Sequence, residues 1–207
     1  LSGRLVNQFF GCIINPNLNK SETGKFRMPP NHPKSLSSNK QTIGVCILTT
    51  HSRIHLLDQC LESLTQGKRK PDQIVILNNL SKEEYTNSPE YLEVISRYHQ
   101  TFRLILSKSK QLGFAEARNR AVSLCTKDFI AILDDDCEPD EYWLDELYQT
   151  LQNFDAVGGG VFPPGFIRTP ADWDSELNWV VGLSPPSQFA DRYGIVSHPS
   201  TSNMAFR

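Results

Sequence analysis

Five short apolar runs recur along this chain at a nearly constant interval. They are IGVCILT from Ile43, QIVIL from Gln73, FRLIL from Phe102, DFIAIL from Asp128 and AVGGGVF from Ala156. Their starts lie 30, 29, 26 and 28 residues apart. That interval holds one strand and one return helix, the period of a βαβ series. A continuous apolar run suits a strand buried on both faces of a parallel sheet. The intervening segments carry helical patterns. Leu57, Cys60, Leu61 and Leu64 fall on one helical face, and Gly67 and Pro71 punctuate its end. Ser88–His99 reads as a helix with Pro89 in its first turn. Phe114–Cys125 reads as a helix opened by Gly113. Asp140–Leu151 reads as a helix whose core face holds Trp143, Leu144, Leu147 and Leu151. The expected fold is α/β, a mainly parallel central sheet covered by helices in three layers. Its crossovers are right-handed, and ligands bind beyond the carboxyl ends of its strands.

Charge separates the chain into two parts. Residues 1–42 carry six basic residues and one acid, a balance of +5, and residues 43–207 carry 15 basic and 22 acidic, a balance of −7. Asn15–Gln41 is rich in Asn, Ser, Pro and Lys and lacks apolar periodicity, which reads as a linker or mobile arm. Residues 1–42 are therefore expected to be a basic, polar arm, and 43–207 a single incomplete domain. A basic arm offers peripheral contact with an anionic membrane surface. The overall charge of −2 argues against a nucleic-acid binder, which usually carries a basic face. No run reaches the about 18–20 apolar residues of a membrane span. Five cysteines stand far apart, with no C-x-x-C pair, so neither a zinc site nor a disulfide framework is indicated. The expected location is cytoplasmic, or the cytoplasmic face of a membrane for a full-length protein. Neither Leu1 nor Arg207 reads as a natural terminus.

The strand ends carry the polar residues. Thr49-Thr50-His51-Ser52-Arg53 follows the first run, and Asn78-Asn79-Leu80-Ser81 the second. Ser107–Gly113 follows the third, and Asp134-Asp135-Asp136-Cys137-Glu138-Pro139-Asp140 the fourth. Three adjacent carboxylates repel one another at neutral pH, and a divalent cation removes that cost. Mg²⁺ and Mn²⁺ take one or two carboxylates together with substrate phosphates. If strand geometry persists, Asp134 and Asp136 face one side and Asp135 the other. The alternative is a solvated acidic loop capping the next helix. Gly113 lets backbone approach a phosphate at a helix N-terminus, or it is simply a turn glycine. His51 can stack on a base or ligate a metal, or lie on the polar surface. Cys137 sits beside carboxylates that raise its pKa, so it reads as a small semi-buried residue and not a nucleophile.

Taken together, VCILTTHSR (45–53), QIVILNNLS (73–81), LGFAEARNRA (112–121), FIAILDDDCEPD (129–140) and SNMAFR (202–207) resemble the family 2 glycosyltransferases. These are nucleotide-sugar-dependent enzymes of the GT-A fold. The resemblance implies that Thr49, His51 and Arg53 hold the nucleotide base and ribose. It puts Asn78 where the family usually has a base-binding aspartate, and Arg118 near the nucleotide. Asp134-x-Asp136 matches the family's D-x-D, with Asp136 the direct metal ligand. Asp134 and Asp135 join Gly113 among the nucleotide-sugar-binding residues. The implied cofactor is Mn²⁺ or Mg²⁺. The implied donor is a UDP-sugar first, with GDP or dTDP as alternatives, because Asn78 loses the usual charge. The implied acceptor is a glycan or a lipid-linked molecule, and the implied reaction is inverting transfer to its hydroxyl. The family's catalytic base lies downstream of the segment matching SNMAFR, so Asp172, Asp174 and Glu176 are not assigned that role. Residues 1–207 alone are expected to bind nucleotide weakly and transfer sugar poorly or not at all.

Three other readings compete. A sugar nucleotidyltransferase wants a glycine-rich loop after the first strand, and Thr49–Arg53 has no glycine. A phosphatase with a nucleophilic Asp-x-Asp wants it after the first strand, not the fourth. A catalytically inactive nucleotide-sugar-binding domain is compatible with Asn78. Trp173, Trp179, Phe166 and Phe189 form either a sugar platform or core.

Overall fold

A computed structural model describes residues 5–7, 12–14, 41–50, 53–79, 87–109, 112–162, 174, 177, 194–195 and 199–207. Its elements in chain order are β1 (Leu5–Asn7), β2 (Cys12–Ile14), β3 (Ile43–Thr49), α1 (Ile54–Gln66), β4 (Gln73–Asn79) and α2 (Pro89–His99). There follow β5 (Leu104–Ser109), α3 (Phe114–Leu124), β6 (Phe129–Asp134), β7 (Cys137–Pro139), α4 (Trp143–Leu151), β8 (Ala156–Gly158), β9 (Gly194–Ile195) and β10 (Asn203–Phe206).

Among the described residues, the main sheet runs β5-β4-β3-β6-β10-β8-β2-β9. Its first four strands are parallel. The chain builds outward from β3 through β4 to β5, then returns to lay β6 on the other side of β3. That reversal is the switch point at which open α/β sheets leave a crevice. Side-chain alternation then assigns the helices to layers. Ile43, Val45 and Ile47 of β3, with Ile74 and Ile76 of β4, pack among the apolar faces of α1, α2 and α4. Cys46, Leu48, Val75 and Leu77 face the opposite way, onto Ala117 and Ala121 of α3. The two alanines let α3 lie close to the sheet. The structure is therefore the three-layer α/β arrangement expected from the βαβ rhythm.

The boundaries depart from the sequence pattern in several places; β4 runs on through Asn78 and Asn79, which read as the segment after the strand. The third strand starts at Leu104 and not Phe102, because Phe102 closes the turn after α2: its N–H donates to the Tyr98 carbonyl at 2.9 Å, and its ring stacks on Tyr98. Helix α4 starts at Trp143 and not Asp140, because the Asp140 carboxylate accepts the Tyr142 N–H at 2.8 Å in a preceding turn. The fifth strand ends at Gly158 and not Phe162. There Asn203 takes over, its Nδ2 donating to the Gly160 carbonyl at 2.9 Å. Cys137–Pro139, read as loop, is a strand paired in parallel with β1. Residues 1–42 thus supply two short strands, β1 to β7 and β2 to β8 and β9. The SNMAFR segment supplies β10, which inserts antiparallel between β6 and β8. No helix among the described residues is long and apolar enough to cross a membrane.

Candidate functional site

Register brings the polar strand ends to one level. Thr49 pairs with Asn78, Leu48 with Asp134, Asn78 with Lys108, and Asn79 with Ser109. Alternation then sorts them by face. Thr49 and Asn78 continue the side of β3 and β4 that meets α1 and α2. Asn79 and Asp134 continue the side that meets α3.

The expected common side for Asp134 and Asp136 does not occur, because strand geometry stops at Asp134. Asp135 and Asp136 form a turn. Asp134 turns to α3, where Arg118 pairs with it at 3.0 Å. Asp135 and Asp136 share one cation: Arg53, at the start of α1, reaches Asp135 Oδ1 at 3.1 Å and also binds Asp136 Oδ2. The acidic turn at the switch point is thus clamped by an arginine from each layer. Burial pushes the Asp135 carboxyl up to about 6, against a hydrogen bond from Thr49 and the Arg53 charge. Burial also raises Asp134, with Arg118 pulling it back down. Asp135 Oδ2 and Arg118 Nε have no hydrogen-bond partner. Among the described residues, no group of three or more His, Cys, Asp and Glu side chains is arranged to hold a metal ion.

The two adjacent asparagines play different parts. Asn79 Oδ1 accepts from Ser109 Oγ and from the Leu112 N–H, both at 2.8 Å, and its Nδ2 donates to the Leu112 carbonyl at 2.9 Å. It ties the end of β5 and the entry to α3 onto β4. Asn78 is fully buried, yet neither its Oδ1 nor its Nδ2 has a partner. Each buried, unsatisfied polar atom costs about 1–3 kcal/mol.

Gly113 precedes α3 with φ −59°, and a Cβ added there would meet no atom within 4 Å. Among the described residues nothing requires glycine at this point. Next to it Phe114 is 73% exposed, and the Arg118 guanidinium lies 5.6 Å from its ring centre. Sequence reasoning passed over Phe114. Its signal is an aromatic in the first turn of a helix whose buried face is alanine. Cys137 is fully buried, in keeping with a packing role. His51, Phe166, Asp172, Trp173, Glu176, Trp179 and Phe189 lie outside the described residues; Asp174 is exposed.

A separate cleft of about 610 Å³ opens between α1, α2 and β7. Arg97 pairs there with Asp58 at 2.7 Å, and the Tyr98 hydroxyl donates to Asp58 Oδ1 at 2.8 Å, while Gln59 Oε1 is buried without a hydrogen-bond partner. The unsatisfied polar atoms of the strand ends lie elsewhere, at the acidic turn and on β4.

The family model described as Glycosyl transferase family 2 matches residues 45–207, which takes in every element from β3 to β10 except the first two residues of β3. The chain belongs to glycosyl transferase family 2. It is 25% identical over 171 residues to a glucosyl-dolichyl phosphate glucuronosyltransferase of Haloferax volcanii, covering 81% of this chain and 52% of that protein. It is 28% identical over 134 residues to a chondroitin synthase of Pasteurella multocida, covering 61% of this chain and 13% of that protein. The family 2 chain thus spans about half the length of the first relative and a small part of the second. Among solved structures, S. aureus TarS in complex with UDP-GlcNAc overlaps with a TM-score of 0.46 at 17% identity, over 56% of this chain and 33% of that one.

Proposed function

We propose that this family 2 chain binds a nucleotide-sugar donor at the carboxyl edge of its sheet and carries the donor half of a glycosyl transfer. The observation that supports this most directly is the acidic turn Asp134–Asp136 at the switch point, held between Arg53 and Arg118. The donor's base and ribose would lie against Thr49, His51, Arg53 and Asn78. Its diphosphate would lie near Gly113, Arg118, Asp134 and Asp135. UDP is the first candidate nucleotide, with GDP or dTDP next. The named activities of the two relatives support a lipid-linked or glycan acceptor. Cysteines outside any disulfide, such as Cys46 and Cys60, fit a reducing, cytoplasmic setting, where the basic arm could also touch a membrane surface.

The residues present fit a divalent cation. Hard carboxylate oxygens suit Mg²⁺ or Mn²⁺, which need only one or two of them when a diphosphate completes the shell. Asp135 Oδ2 is already without a partner at that turn. Asp136 would hold the ion with Asp135 Oδ2 beside it, while Asp134 is turned to Arg118 on the other layer; the ion would supply Lewis-acid stabilisation of charge on the departing diphosphate. Arg118 and Arg53 hold the three acids in place before donor arrives. In the transfer, the acceptor hydroxyl oxygen bonds to the anomeric carbon from the face opposite the diphosphate. The bond to the diphosphate breaks with its electron pair, and the hydroxyl proton goes to a base. The configuration inverts. Arg118, beside the diphosphate, balances the charge that develops there.

A second reading is a binding domain without catalysis. The specific observation behind it is Asn78, a neutral residue where the family usually has a base-binding aspartate. Calorimetric titration of UDP in the presence of Mn²⁺ tests the donor site. Binding is expected to weaken at least tenfold on removing Mn²⁺, and at least tenfold in Asp136→Ala. Equal affinity in all three cases would remove the acidic turn from the site.

A further inference from the structure

Two cysteines far apart in the chain meet on the sheet face covered by α3. Cys46 of β3 is buried, and its Sγ donates to the Ala121 carbonyl at 3.5 Å, in the last turn of that helix. Cys125 ends α3, is half-buried, and packs against the same cluster. Its sulfur rests on the backbone of β3: a Cβ on Gly44, two residues before Cys46 and on the same face, would run into Cys125 Sγ. The two thiols are hydrogen-bonded to each other. That bond lowers Cys125 to about 7, helped by the Lys127 N–H and charge and opposed by burial. The same bond, with burial, holds Cys46 up. One sulfur is thus partly exposed and partly ionised at neutral pH, and the thiolate is the reactive form. The other is a buried thiol that keeps its proton. Cys60 and Cys137 make the contrast: both are fully buried, and burial raises Cys60.

We propose that Cys125 and Cys46 form a redox site that takes a peroxide as its oxidant, with Cys125 oxidised first and Cys46 closing the disulfide. In the first step the Cys125 sulfur bonds to one peroxide oxygen. The O–O bond breaks, and the other oxygen leaves as hydroxide, which takes a proton to become water. Cys125 is then a sulfenic acid. In the second step the Cys46 sulfur bonds to the Cys125 sulfur. The S–O bond breaks, and the hydroxyl leaves with the Cys46 proton as a second water. The two thiols have lost two electrons and the peroxide has gained them. Such a bond is transient in a reducing compartment, where disulfides serve sensing or catalysis. The site lies at the opposite end of α3 from Gly113 and does not rest on the donor-site reading.

The test is peptide mapping by mass spectrometry after treating the folded chain with hydrogen peroxide and blocking the remaining thiols. A Cys46–Cys125 link, removed by dithiothreitol, is the result expected. Cys46→Ser is expected to stop at the sulfenic acid, so that dimedone labels Cys125. Cys125→Ser is expected to leave Cys46 reduced. Without peroxide, iodoacetamide is expected to label Cys125 at least tenfold faster than Cys60 or Cys137. If a serine variant fails to fold, the map and the labelling rates of the unaltered chain decide. Recovery of Cys46 and Cys125 as free thiols from peroxide would overturn the inference. So would a link from either one to Cys12, Cys60 or Cys137 in place of the expected pair, or labelling of Cys125 no faster than Cys60.

Discussion

Asn203 shows how much one side chain holds in this molecule. Its Oδ1 accepts the Trp143 indole N–H at 2.8 Å, and its Nδ2 donates to the Gly160 carbonyl at 2.9 Å, all in a fully buried setting. Asn203→Ala leaves the indole N–H and the carbonyl unsatisfied. The expected loss is about 2–6 kcal/mol in urea denaturation, from about 1–3 kcal/mol for each orphaned group. A loss below about 1 kcal/mol would mean that water or a neighbour replaces the amide. The fit is tight: a Cβ on Gly159 would come within 2.5 Å of Asn203 Nδ2. In the sequence, Asn203 belongs to a matching segment but carries no sign of its partners, which lie 43 and 60 positions away. The same limit applies to Asn78 and Asn79. Adjacent and chemically identical, they cannot be told apart in the chain. Strand alternation turns one toward α3, where three hydrogen bonds await it, and the other to the opposite face, where none does.

Elements show the opposite balance between sequence and structure. The parallel strands and their helices were legible because each is set by local periodicity, and the βαβ spacing needs no distant partner. Helix α2 starts where Ser88 and Pro89 place it, with Ser88 Oγ accepting the Tyr91 N–H at 3.2 Å. Strands β7 and β10 were not legible. Each is three or four residues long, and each exists only because a remote strand pairs with it. The start of β3 is also tied to a remote residue. Asp128, just before β6, accepts from the Thr42 N–H at 2.7 Å and from the Thr42 hydroxyl at 2.8 Å. These bonds hold its carboxyl below the usual carboxylate range. A carboxyl lowered in the folded state adds stability above its unfolded pKa and loses it as pH falls through the folded value. Asp128→Asn is therefore expected to melt below the unaltered chain at pH 7. The gap is expected to close as pH falls below about 4, the ordinary carboxylate value. A gap that does not change with pH would show that the charge contributes nothing there.

At the scale of the whole molecule, topology and charge converge on one edge. The chain reverses its direction of sheet growth between β3 and β6, and the acidic turn sits at the end of β6. Arg53 reaches it from the start of α1, on one layer, and Arg118 from α3, on the other. The sequence puts the three acids at the end of the fourth apolar run, and in the structure they stand at the end of β6. It did not show that Asp134 parts from Asp135 and Asp136, because that depends on where β6 stops and on which arginine each acid meets. The central claim is that this edge is a metal-assisted nucleotide site. The most direct test is a thermal-shift titration with UDP, GDP and dTDP, each with and without Mn²⁺, on the chain and on Asp136→Ala. A ligand at 100 times its Kd stabilises by about 2.7 kcal/mol. A rise in Tm with at least one nucleotide, dependent on Mn²⁺ and lost in Asp136→Ala, is the result expected. No rise with any nucleotide in the folded chain, or a rise unchanged in Asp136→Ala, would contradict the claim.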